Sequence, residues 1–185
     1  MDMNFRIANS KDAEVIAALH ALSWQSAYAN VLSEDFLENE VQTERLKYWQ
    51  EKLLLAENNP AYYILLAENN QQLQGFICVI GQEDPNYGSL IDNLHVHPAG
   101  KGQGLGRELL QRGLQWAREQ HPKRGVYLWV YKANHAAIRF YEKMGGLCAE
   151  LTTTANPDGG KADVWRVIWS RPQRSIVERL RSAFS

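Results

Sequence analysis

Four glycines at alternate positions constrain this chain more than any other feature. Gly100, Gly102, Gly104 and Gly106 stand between an apolar run ending Leu94-His95-Val96 and a helical stripe that begins at Leu105. A strand therefore feeds a glycine loop that opens a helix. The first N–H groups of a helix lack intrahelical partners and carry partial positive charge, so they hold phosphates. Glycine lets that backbone approach an anion closely, but each glycine costs conformational entropy on ordering. Four together favour a loop that grips a ligand over one that only connects. Two common phosphate loops are excluded by spacing. No Gly-Lys-Ser/Thr follows, as the P-loop needs. The dinucleotide fingerprint needs glycines at i, i+2 and i+5, and those third positions are Leu105 and Arg107.

Composition narrows the class further. The 185 residues fit one domain at a soft prior of ~150 residues per domain. Hydrophobic residues make up 45% and charged residues 22%, as in ordinary globular proteins. Twenty basic against 21 acidic residues leave a charge of -1, which removes the electrostatic argument for nucleic-acid binding. Cys78 and Cys148 are too few for a disulfide framework or a zinc cluster and read as thiols in a reducing compartment. No run of ~18 apolar residues suggests a membrane span. The start, Met-Asp-Met-Asn-Phe-Arg, lacks the pattern of a secretory signal, so a cytoplasmic protein is expected.

Hydrophobic spacing lays out the elements. Phe5–Ala8 reads as a strand, then Asn9-Ser10 caps a helix running to about Tyr28. Ser33-Glu34-Asp35-Phe36 opens a second helix reaching about Ala56. Ala61–Ala67 and Gln74–Ile80 form a hairpin, followed by a loop over 81–86. Tyr87–Val96 is strand-like, interrupted at Asp92-Asn93. A helix follows the glycines and ends near His121-Pro122. Val126–Tyr131 is a strand, Asn134–Met144 a helix, and Leu147–Thr154 with Asp163–Ser170 a hairpin. Arg171 onward reads as a short basic amphipathic tail that can form a helix. The order is that of a mixed α/β fold in a single domain, residues 1–185.

Two segments resemble one family closely. Lys101-Gly102-Gln103-Gly104-Leu105-Gly106 is similar to the acyl-CoA loop of the GNAT N-acetyltransferase superfamily. That loop reads Arg or Gln, two residues, Gly, one residue, then Gly or Ala. Lysine stands at its first position here, which keeps the charge but replaces a planar fork with a point charge. The second segment is a strand, then Asn134, then a helix with Tyr141 seven residues on. Seven residues are nearly two turns, so Asn134 and Tyr141 share a face about 10 Å apart. The matching region covers roughly residues 74–148; the N-terminal third agrees in layout only, apart from Trp24 and Tyr28.

The resemblance implies a mostly antiparallel mixed sheet of about seven strands flanked by about four helices. It implies acetyl-CoA as cosubstrate and no metal. The N–H groups from Gly102 through Gln103, Gly104, Leu105 and Gly106 to Arg107 would wrap the pyrophosphate. Leu94, His95 and Val96 would pair with the pantetheine arm and the acetyl carbonyl, and Asn134 and Tyr141 would meet the same arm. Acetyl transfer to a primary amine by direct attack needs a deprotonated amine, an oxyanion donor and a proton for the departing thiolate. The resemblance gives the last role to Tyr141. Asp92, acting through water, is the first choice of base, His95 the second, and Glu83 in the preceding loop a weaker one. His95 and His97 alone are too few to hold a tetrahedral metal. Trp24 and Tyr28, four apart on one helical face, would line the acceptor pocket or hold a cation. The alternative is a non-catalytic acyl-CoA-binding or sensor domain. No nucleic acid or membrane is expected as a partner, a small amine or peptide N-terminus is the expected acceptor, and a homodimer stays open.

Overall fold

The apolar runs pair into one sheet, seen in a computed structural model that describes residues 3–170. The strands are β1 (Asn4–Ile7), β2 (Tyr62–Asn69), β3 (Gln72–Asp84), β4 (Gly88–Val96), β5 (Val126–Tyr131), β6 (Leu147–Ala155) and β7 (Lys161–Trp169). The helices are α1 (Ala13–Ala27), α2 (Val41–Ala56), α3 (Leu105–Gln120) and α4 (His135–Lys143). The sheet order is β1-β2-β3-β4-β5-β7-β6. Every pairing is antiparallel except β4 with β5. Family resemblance anticipated about seven strands and four helices. The helix expected from Arg171 lies outside the described residues.

Both faces of the sheet centre are covered, which is why β2 and β3 read as near-continuous apolar runs. Side chains alternate along a strand. Ile77 and Val79 pack with Leu109, Leu110 and Leu114 of α3, while Phe76, Cys78 and Ile80 pack with Ile16 of α1 and with Trp49 and Leu53 of α2. Each fully buried large apolar side chain contributes about 1.5–3 kcal/mol. Helix α4 lies on the α3 side through Ala137, Ile138, Phe140 and Met144. Close approach of α3 to the sheet needs Gly113, where an added Cβ would sit 2.5 Å from Ile77 Cδ1.

Local chemistry fixes the ends. Asn9 Oδ1 accepts from Lys11 N at 3.0 Å, and Asp12 Oδ2 accepts from Asn9 N at 2.8 Å, a reciprocal capping box. Ser33 Oγ accepts from Phe36 N at 3.4 Å, and a wide turn over Phe36–Glu40 leads into α2. Two expectations change. The loop placed over 81–86 is mostly strand: β3 runs to Asp84, opposite Gly88. Asp84 Oδ1 then accepts from Asn86 N and Tyr87 N and closes the turn. The interruption at Asp92-Asn93 does not end β4. Cys78 pairs with Asn93 and Val79 with Ile91, so Asp92 is an extra residue in a β-bulge. Among the described residues, no helix is long and apolar enough to cross a membrane.

Candidate active site

The parallel contact between β4 and β5 is short. Only Ser89 with Val126 and Leu90 with Tyr127 are in register. Beyond them β5 pairs only with β7, and β4 only with β3. The strands part at Ile91, one residue before the bulge. The edge of β4 facing β5 therefore carries backbone groups that no strand satisfies, which a ligand's amides can fill. A cleft of about 790 Å³ fills the split. It is bordered by Leu94, His95 and Val96, by the glycine loop, and by Asn134 and Tyr141 of the α4 segment.

The glycine loop is built to meet an anion. Gly102 and Gly104 have φ of +83° and +87°, values that L side chains rarely adopt, and a Cβ at either would meet nothing within 4 Å. Gly104 is the N-cap of α3 and supplies no side-chain cap, and the first helical bond is Glu108 N to Gly104 O at 3.1 Å. The N–H groups of the first turn stay available. Lys101, Gly102, Gly104, Gly106 and Arg107 border the cleft. Gln103 does not; its amide donates to Ala99 O at 3.4 Å, and the Leu105 side chain is buried in the core. Those two can contribute only backbone.

At the other end stands Tyr141. Its ring packs against Phe140 and Trp169, and its hydroxyl has no hydrogen-bond partner among the described residues. Burial, helped by nearby Tyr28, pushes its pKa well up, so it stays protonated at neutral pH. Asn134 caps α4, accepting from Ala137 N at 3.1 Å. Tyr28 is raised to about 12 by burial, partly offset by the Asn134 side chain. Trp24, Tyr28 and Tyr131 form an edge-to-face chain, with centroids 5.8 Å and 4.9 Å apart.

The two candidate bases have different surroundings. Asp92 Oδ2 accepts from Tyr48 Oη, from Lys52 Nζ at 2.9 Å and from Asn93 Nδ2 at 2.8 Å. Its Oδ1 has no partner among the described residues. His95 Nδ1 lies 2.9 Å from Ser23 Oγ, and its ring packs against His20 at a 34° tilt with centroids 4.2 Å apart. Burial, then the charges of Arg45 and Lys101, lower His95 to about 3, so its ring is uncharged at neutral pH. His20 is buried and fixed by Trp49 Nε1, which donates to its Nδ1 at 3.0 Å. Among the described residues no three His, Cys, Asp or Glu gather as a metal site. Both cysteines are free, Cys78 buried and Cys148 only partly so.

The profile of the acetyltransferase (GNAT) family matches residues 18–146. The chain belongs to that family. A GNAT relative, the spermidine N(1)-acetyltransferase of Thermoplasma acidophilum, is 28% identical over 152 residues, 78% of this chain and 88% of that protein. The mycothiol acetyltransferase of Salinispora tropica is 33% identical over 87 residues, 46% of this chain, which thus spans only 28% of that relative. In fold, the chain is similar to the PaiA N-acetyltransferase of T. acidophilum, solved in complex with coenzyme A. The TM-score is 0.70 at 17% identity, covering 91% of this chain and all of the other.

The structure thus brings Asp92, Leu94, His95, Val96, Asn134 and Tyr141 to one cleft, which Trp24 and Tyr28 also border. Sequence reasoning missed Ser23, Tyr48, Lys52 and Arg45. Ser23 stands one position before Trp24 on α1, but nothing local ties it to His95, 72 positions on. Tyr48 and Lys52 are four apart on α2, a spacing that puts both on one face, which was the available signal.

Proposed function

We propose that this GNAT protein transfers an acetyl group from acetyl-CoA to a primary amine by direct attack. The single observation that carries this reading is the cleft at the β4–β5 split, which joins the open glycine loop to the unpartnered Tyr141 hydroxyl. The pyrophosphate sits on the N–H groups from Gly102 to Arg107, with Lys101 adding charge. The pantetheine arm lies along the free edge of β4, and a backbone N–H near Leu94 steadies the oxyanion. Trp24 and Tyr28 face the acceptor. Asp92 takes the ammonium proton through water on Oδ1, since Oδ2 is already engaged three times. His95, uncharged, orients that water or amine by hydrogen bonding. The amine nitrogen then bonds to the acetyl carbon and loses its second proton to solvent, the carbon–sulfur bond breaks, and Tyr141 gives its proton to the thiolate, while Asp92 releases the proton it took to solvent. Tyrosine regains a proton from solvent. The relative named for spermidine supports an amine as acceptor class.

A thiol-release assay tests this reading, using acetyl-CoA against amines, amino acids, aminoglycosides and short peptides, with acetyl-CoA binding followed by calorimetry. Binding together with release for one acceptor class is expected. Binding with no release for any acceptor leaves an acyl-CoA sensor instead, and no binding overturns the reading.

A further inference from the structure

On α1, Ser23 stands three positions after His20, so the two share one helix face. That face meets His95 of β4. Ser23 Oγ lies 2.9 Å from His95 Nδ1, and the His95 ring packs against His20 and Phe76, with centroids 4.2 Å and 5.4 Å apart. The ring is therefore held by its neighbours and by one of its nitrogens. The other nitrogen, Nε2, has no partner among the described residues and is not sealed from solvent. His95 and Ser23 both border the cleft.

Which nitrogen carries the proton decides what His95 can do. Burial keeps the ring uncharged near neutrality, so one nitrogen donates and the other accepts. Ser23 is 7% exposed, and His95 Nδ1 is the one hydrogen-bond partner of its hydroxyl among the described residues. If Nδ1 held the proton, Ser23 Oγ would accept it, and the serine's own proton would be buried with no protein acceptor, which is costly. Donation from Ser23 to Nδ1 satisfies both groups and leaves the imidazole proton on Nε2. His20 follows the same logic: Trp49 Nε1 can only donate, so His20 Nδ1 accepts and its proton is on Nε2. We infer that Ser23 is a positioning residue that holds His95 as an N–H donor toward the cleft, not a proton acceptor. The inference rests on the transferase reading above and decides between the two partners, water and amine, that it gives His95. An ammonium offers no lone pair to an N–H, and an amine whose lone pair is so engaged cannot attack. The relay water of Asp92 can accept it. That water takes the ammonium proton while passing one of its own to Asp92 Oδ1, and His95 keeps its proton throughout.

Long-range nitrogen–proton NMR of the free protein near neutrality tests the assignment without turnover, because it reads each imidazole nitrogen as protonated or bare. His95 should show a bare Nδ1 and a protonated Nε2, as His20 should. A protonated His95 Nδ1 would overturn the assignment. Ser23→Ala should release the fixed form, so its His95 nitrogen signals should move toward the average of two tautomers. Its kcat for the best acceptor should fall by about three- to tenfold, the scale of one neutral hydrogen bond, with acetyl-CoA affinity by calorimetry unchanged. Ser23→Thr, which keeps the hydroxyl, should recover both. A Ser23→Ala protein with wild-type nitrogen signals, or with wild-type turnover, would overturn the positioning role. His95→Gln keeps an N–H donor but takes no proton near neutrality, so it should stay within about tenfold of wild type; a loss of about 10²-fold or more, the scale of a lost general base, would overturn the donor role. If Ser23→Ala fails to fold, shown by lost acetyl-CoA binding, the wild-type spectrum and His95→Gln still decide. Absence of thiol release with every amine would overturn the transferase reading and the water as partner, while the tautomer stands or falls on the spectrum.

Discussion

Asp92 owes its position to one inserted residue. The bulge turns its carboxylate toward Tyr48 and Lys52 and leaves one oxygen for the cleft. Asp92→Asn keeps the shape and the contact with Lys52 but removes the proton acceptor. Turnover should fall by about 10²-fold or more, the usual scale of a lost general base, while acetyl-CoA binding measured by calorimetry holds. An unchanged rate would leave His95 or solvent as the base. Sequence reasoning put Asp92 ahead of His95 but could not say which of them faces the substrate, because alternation fails at a bulge. Their surroundings come from α1 and α2, which lie far away in the chain and touch β4 only in the fold.

Elements divide into those set by local pattern and those set by partners. Helix α3 was legible because its stripe of Leu105, Leu109, Leu110 and Leu114 has helical period and its glycines mark the start. The Asn134 cap and α4 were legible for the same reason. The far end of β3 was not, since Gly81-Gln82-Glu83-Asp84 carries turn residues and pairs with β4 only past a register shift. Two glycines make the distinction testable. Gly104→Val forces a branched side chain to φ +87° beside the cleft, where an added Cβ meets nothing within 4 Å. Acetyl-CoA affinity should weaken by about tenfold or more while the fold persists, because αL strain costs about 1–3 kcal/mol. Gly113→Val instead drives a side chain into Ile77 and Val79. Chemical denaturation should show a loss of about 2 kcal/mol or more, as for an overpacked core.

For the molecule as a whole, sheet order and the split at Ile91 turn a set of ordinary elements into a site. No local pattern in the sequence says that β4 pairs with β5 for two residues and then leaves it. The same packing makes stability depend on pH. Burial lowers His20 and His95 below the ordinary 6.5, His95 to about 3. The unfolded chain then binds more protons than the folded one within that window, so stability is complete above 6.5 and declines as pH falls toward 3. Carboxylates such as Asp12 add to the decline only below about pH 4. Thermal melts should be level near neutrality and drop steadily below pH 6.5, with a shallower drop for His95→Gln; equal slopes for the two proteins would contradict this. In the proposed acetyl transfer, Tyr141 is the proton donor of the cleft. Tyr141→Phe, measured for acetyl-CoA binding and thiol release in one preparation, tests it most directly. Unchanged binding with turnover cut by about 10²-fold or more is expected; turnover equal to wild type would remove Tyr141 from the chemistry and overturn its role as proton donor.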